Sequence, residues 1–170
     1  MEDMCQLSGR LTEQKYQASY ETIANLISRY SSVARLDLVN YWEQVVFSWI
    51  VGNADMHLKN FSLISEKPGK YVLTPTYDQV STAIVMPEDT DELALSLNGF
   101  QKKLLPMDFV QAMENTGLTS QMAQRILDHF TPMREKWFAC IDSSFISEEQ
   151  KVHFKALIDK RFTTIAQQRR

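Results

Sequence analysis

The sequence predicts a mainly α-helical chain with one small β-hairpin, and three observations lead there. Apolar residues recur at spacings of three and four over most of its length, the mark of helices that bury one stripe. Only over about residues 60 to 74 does the period change, where "NFSLI" and "KYVLT" flank "SEKPGK", whose Pro-Gly pair signals a tight turn. At 170 residues and 44% hydrophobic content, the chain can fold as one domain over residues 1–170 and bury a sizeable core.

Taken in order, Tyr20, Ile23, Ile27 and Tyr30 share one face of a first helix, which "SS" at 31–32 interrupts. A second helix starts near Leu36, with Leu38, Trp42, Val45 and Trp49 on one stripe and Val39, Val46 and Ile50 beside it. By residue 45 it is apolar nearly all round, so its C-terminal half belongs in the middle of the fold, and Gly52 ends it. After the hairpin, "TPTYDQVST" reads as a loop leading into a short helix. The acidic loop "MPEDTDE" then precedes "LALSLNG", a candidate further strand. "PMDFVQAMENTG" predicts a short helix closed by Gly117. Thr119 can cap the next helix, whose face runs Met122, Ile126, Phe130, Met133 and Trp137. Ser147 with Gln150 makes a capping box for a final helix carrying Phe154, Leu157, Ile158, Phe162 and Ile165. The Met and aromatic stripes read as core, not as a cofactor box.

Several function classes lose ground on composition. A net charge of −3 argues against a dedicated nucleic-acid binder, which needs a basic face, and the terminal "QQRR" reads as a solvated helix end. Cys5 and Cys140 form no paired framework, so free thiols in a reducing compartment are expected, with Cys140 buried beside "KWFA". His129 and His153 read as solvent-facing helix positions. The N-terminus "MEDMCQLSGR" does not have the form of a signal peptide, and the longest apolar run is far short of the ~20 residues that span a bilayer. The expectation is a cytoplasmic protein with no membrane segment.

The chemistry concentrates in "IVGNADMHLKNFSLI", residues 50–64, a polar loop set between two segments meant for burial. Asp55 and Asn60 lie five apart in it, and a hairpin that returns the chain to its start can bring Asp78 close to Asn60. An amide carbonyl and a carboxylate are hard oxygen ligands suited to Mg²⁺ on substrate phosphates. Asp55, earlier on the loop, could orient and deprotonate a hydroxyl nucleophile. That order of base, Asn and metal Asp is the division of labour in phosphoryl transfer, and the Asp-to-Asn spacing in "DMHLKN" matches the kinase catalytic loop. The last aspartate stands in "YDQVS" rather than D-F-G, which excludes a conventional eukaryotic protein kinase. D-x-H-x-x-N is also the pattern of phosphoinositide-type lipid kinases, so the loop leaves a protein, lipid or small-molecule acceptor open.

"EDMCQ", "GNADMHLKNFS", "LTPTYDQVST" and "LALSLNG", in that order between residue 2 and about residue 138, resemble the HipA family of bacterial serine/threonine kinase toxins. The resemblance implies the helical, C-terminal lobe of a protein-kinase-like fold, with "EDMCQ" near its start. It implies Asp55 as the catalytic aspartate and Asn60 and Asp78 as Mg²⁺ ligands. His57 and Lys59 match further loop positions and stand as additional catalytic candidates. Lys59 is also a nucleotide contact candidate, either paired with Asp55 or reaching the γ-phosphate, while His57 could simply support the loop. ATP is the implied co-substrate. The implied partners are an N-terminal ATP-binding lobe, a helix-turn-helix antitoxin and a protein bearing the Ser/Thr acceptor.

Members of that family are about twice this length or more. The phosphate-cradling loop and the strand lysine of their first lobe have no counterpart here, and the five glycines form no phosphate loop. The chain is therefore expected to be part of a larger kinase, half of a split one, or a decayed remnant, and inactive alone. Two other classes remain: a non-catalytic kinase-like lobe that binds an antitoxin or another partner, and a metal-dependent hydrolase using Asp55, His57 and Asp78.

Overall fold

The computed structural model describes residues 1–86, 88 and 90–167. Most of the terminal "QQRR" cluster, and part of the acidic loop "MPEDTDE", lie outside the described residues. The observed class is mostly helical with a small antiparallel sheet.

Helix α1 (Met4–Leu7) is a single turn that follows the short strand β1 (Glu2–Asp3). Asp3 caps it by accepting from the Gln6 amide at 2.8 Å, and the Asp3 amide donates in turn to Gln6 Oε1 at 2.9 Å. Helix α2 (Tyr20–Tyr30) starts at the Ser19 cap and buries Tyr20, Ile23, Ala24 and Ile27. Tyr30, expected on the same face, is its last residue and is exposed.

Helix α3 (Ala34–Val51) is the axis of the molecule. Tyr41, Trp42, Val45, Val46, Trp49 and Ile50 are wholly buried, as its all-round apolar half requires. The two indoles still find polar partners: Trp42 Nε1 donates to Thr116 Oγ1 and Trp49 Nε1 to Glu92 Oε2, each at 3.1 Å.

The hairpin forms from β2 (Ser62–Lys67) and β3 (Lys70–Leu73), paired antiparallel from Leu63 opposite Leu73 to Ser65 opposite Tyr71. Gly69 supplies the positive φ (+76°) of its turn. The sheet has a third strand that the sequence does not suggest, because β1 pairs with β2 through Asp3 opposite Ser62. Buried Asp37, in the first turn of α3, accepts from the Leu73 amide at 2.7 Å and so fastens the hairpin to the central helix.

Residues 93–99 do not form the expected strand. They make only isolated bridges, Ser19 with Ser96 and Leu97 with Phe100, although Leu93, Leu95 and Leu97 are buried. Asn98 (φ +49°) turns the chain instead, held by Glu21 and by the Asp108 carbonyl. Helices α4 (Pro106–Asn115) and α5 (Ser120–Phe130) follow, α5 capped by Thr119 as expected. The single stripe from Met122 to Trp137 is in fact divided: a 3₁₀ turn at Thr131–Met133 separates α5 from α6 (Arg134–Asp142), because Pro132 has no amide to continue the ladder. Cys140 is exposed rather than buried, since α6 turns the neighbouring Ile141 inward.

The last helix, α7 (Glu148–Gln167), starts at the Ser147–Gln150 capping box and packs on α3. Its buried Arg161 lies 4.6 Å over the Trp49 ring and pairs with Glu92 at 3.2 Å. No helix among the described residues is long and apolar enough to cross a membrane.

Candidate active site

The polar loop is launched by the end of α3. Gly52 adopts a left-handed conformation (φ +69°), and a Cβ there would lie 2.6 Å from Leu157 Cδ2 and 2.7 Å from Ala83 Cβ. Only glycine meets both demands, conformational and steric. The Gly52 carbonyl accepts from the Ala83 amide (3.0 Å) and the Thr82 hydroxyl (3.2 Å), while Thr82 Oγ1 also accepts from the Ala54 amide at 2.9 Å. The segment carrying Asp78 is thereby bound to the segment carrying Asp55.

Asn53, which the sequence reading passed over, completes that junction. It is wholly buried; its Nδ2 donates to the Asp78 carbonyl and to Gln79 Oε1, each at 3.3 Å. Its Oδ1 accepts from the Asp55 amide at 3.1 Å. Its place directly after Gly52 was a local signal for such a capping amide.

Asp55 is half-buried and opens on a cavity of about 500 Å³ lined also by Tyr16, Ala54, Thr82 and Met86. The Tyr16 hydroxyl donates to Asp55 Oδ1 at 2.6 Å. Nothing local in the sequence announces this contact, which joins residues 39 positions apart.

His57 is buried beside Asp55, whose carbonyl accepts from the His57 amide at 2.9 Å. Its ring meets Tyr16 edge-on with centroids 5.0 Å apart, and its Nδ1 has no protein partner. Desolvation, helped by the charge of Lys15, holds the imidazole below its usual range, so it is neutral at pH 7. That environment favours loop support.

Lys59 reaches neither Asp55 nor the cavity. Its ammonium pairs with Asp3 at 2.8 Å, which pins the loop to β1, and this bond raises its pKa.

Asn60 and Asp78 are brought together. Asn60 Nδ2 donates to Asp78 Oδ2, while Asn60 Oδ1 is buried with no partner. Asp78 itself has φ +56°, a costly conformation for a residue with a Cβ. The Tyr77 hydroxyl holds the approach: it donates to the Lys59 carbonyl at 2.8 Å and bonds Ser62 Oγ at 2.7 Å.

An orphaned amide oxygen next to a carboxylate fits a hard divalent cation. Mg²⁺ typically takes one or two protein oxygens and fills its other positions with water and phosphate. Among the described residues no three His, Cys, Asp or Glu side chains gather to hold a metal.

The HipA-like C-terminal domain model matches residues 1–137. The chain belongs to that family. A Sinorhizobium fredii protein named "Putative kinase Y4dM" is 36% identical over 103 residues, covering 60% of this chain and 24% of its own length. A similarly named Haemophilus influenzae protein is 27% identical over 146 residues, covering 76% of this chain and 43% of its own length. The chain thus spans less than half of these relatives. Among solved structures, the fold of this HipA-like domain is similar to Shewanella oneidensis HipA, solved with HipB and operator DNA. The TM-score is 0.79 at 17% identity, over 98% of this chain and 44% of that one. The Helicobacter pylori proinflammatory kinase CtkA aligns with a TM-score of 0.63 at 19% identity, over 96% of this chain and 64% of that one.

Proposed function

We propose that this HipA-like domain is the catalytic-loop lobe of a kinase that transfers the γ-phosphoryl of ATP to a protein serine or threonine hydroxyl. One observation supports the reading: Asn60 and Asp78, eighteen residues apart in sequence, meet across the hairpin, and the Asn60 amide oxygen is buried without a partner. Asp55 stands on the same short loop as Asn60, held by Asn53. Its carboxylate would receive the acceptor's proton and orient the hydroxyl for attack. Asn60 and Asp78 would hold Mg²⁺, which when bound neutralises charge on the phosphates. Gly52, Asn53 and Thr82 fix these groups relative to one another, so little reorganisation is needed at the moment of transfer.

The setting follows by analogy. The HipA neighbour is in a complex with HipB and operator DNA, which supports a bacterial toxin–antitoxin module with a helix-turn-helix antitoxin as partner. A second lobe, on the same longer chain or on another subunit, would supply the adenine and phosphate contacts.

The test is a paired measurement, in the complete kinase assembly, of Mg·ATP affinity and phosphate incorporation. Asp55→Asn should keep nucleotide affinity and lower transfer by the ~10²–10⁴-fold typical of losing an acid–base group. Asp78→Asn and Asn60→Ala should weaken Mg²⁺-dependent nucleotide binding together with turnover. Wild-type behaviour of all three variants would mean that the loop is not a catalytic site and would leave partner binding as the better reading.

A further inference from the structure

We propose that Tyr16 is a resident placeholder for the acceptor: its hydroxyl occupies the acceptor's position on Asp55, keeps water off that carboxylate, and withdraws when a protein hydroxyl binds. The inference rests on Asp55 being the base of phosphoryl transfer.

The geometry of the contact comes first. At 2.6 Å from Asp55 Oδ1, the Tyr16 hydroxyl stands where a base must meet the proton it abstracts. An incoming serine or threonine hydroxyl directed at Oδ1 would have to take that same space. Desolvation, then the bond to Asp55, push the Tyr16 hydroxyl up to about 12. It therefore remains a proton donor to Asp55 throughout the neutral range and does not compete with it as a base.

The anchoring of Tyr16 is slight, as a displaceable group requires. It lies in a turn between the 3₁₀ segment Thr12–Gln14 and the Ser19 cap of α2. The residue is 47% exposed. Its ring meets His57 in a T-shaped contact, and Lys15 Nζ, on a flexible side chain, lies over it at 4.9 Å from the centroid. By contrast, Tyr20 four residues later is wholly buried, with its hydroxyl fixed on the Met56 carbonyl at 3.0 Å.

The position also explains what such a group would accomplish. Tyr16 lines the mouth of the cavity of about 500 Å³ into which Asp55 opens. Water is the smallest competitor for a phosphoryl group, and a base left open to it hydrolyses ATP without an acceptor. A phenol that is large, half-exposed and itself a hydroxyl covers the Oδ1 of the base against water and still yields to a bound substrate that brings further contacts.

The probe is Mg·ATP hydrolysis by the complete kinase assembly with no protein acceptor present. Tyr16→Phe keeps the ring against His57 and removes the hydroxyl, so water can take its place. Hydrolysis should rise about tenfold, the scale of one hydrogen bond to a charged group. Adding Asp55→Asn to Tyr16→Phe should abolish the gain. If Tyr16 merely positioned Asp55, the same variant would lower hydrolysis; a fall or no change, with Asp55-dependent turnover intact in the parent, overturns the placeholder and spares the base assignment. Phosphate found on Tyr16 by mass spectrometry also overturns it, because Tyr16 would then be an acceptor itself. Turnover insensitive to Asp55→Asn overturns the placeholder and the base together.

Discussion

Buried polar side chains set the geometry of the loop, and His57 gives that statement a measurable consequence. Its imidazole is desolvated, faces Tyr16 and leaves Nδ1 without a protein partner, so the protonated form is disfavoured in the folded state. The folded pKa lies below the ordinary ~6.5 of the unfolded chain. Between those two values the unfolded state binds more protons, and stability rises with pH. The contribution is complete above about pH 6.5 and is lost as pH falls through the folded value. In denaturant titrations from neutral to mildly acidic pH, His57→Gln should therefore lose less stability than the parent; parallel profiles would sink this account. At this scale the sequence was legible where a hairpin returns the chain to its start: it placed Asp78 near Asn60, and the two do meet. It was illegible where partners come from remote turns. Tyr16 reaches Asp55, and Asp3 takes Lys59, through folding alone.

Elements were legible in proportion to their periodicity. Helix α3 announced its burial through an unbroken apolar run, and Trp49 shows what depends on it. Its ring contacts Phe109 at 4.9 Å, lies under Arg161, and donates to Glu92, which also accepts from the Leu104 amide and pairs with Arg161. Trp49→Ala should cost the ~3–5 kcal/mol of a large buried aromatic. Exposed Leu36 on the same helix provides the control: Leu36→Ala should stay within about 0.5 kcal/mol. Equal denaturation midpoints for the two variants would show that α3 is not the axis. The misread elements have equally physical causes. Leu93, Leu95 and Leu97 alternate like a strand, yet no neighbouring strand offers a ladder beyond isolated bridges. The Met122–Trp137 stripe keeps helical spacing through Pro132, whose missing amide breaks the helix without disturbing the pattern. Strand β1 is two residues long, too short for any period to register.

For the whole molecule, the sheet and the central helix converge on one loop, which carries the groups proposed for the acceptor and metal side. The nucleotide side is different. The five glycines stand singly, at 9, 52, 69, 99 and 117, and none belongs to a phosphate-cradling loop. The cation of the loop is already committed, Lys59 to Asp3. On the proposed reading, Mg·ATP would rest on the Asn60–Asp78 pair, hard oxygen ligands that depend on phosphate to complete a metal's coordination. Such a site, resting on two protein oxygen ligands, gains too little to offset the rotational and translational freedom that binding removes. Calorimetry on the 170-residue chain should accordingly give a Kd for Mg·ATP weaker than about 1 mM, under ~4 kcal/mol of binding free energy. Joined to a lobe that supplies adenine and phosphate contacts, the same Asn60 and Asp78 should become indispensable to binding, and Asp78→Asn should return the assembly towards the weak affinity of the isolated chain. Micromolar binding by the isolated chain, unaffected by Asp78→Asn, would show that the nucleotide site lies elsewhere on this domain and that no second lobe is needed to build it.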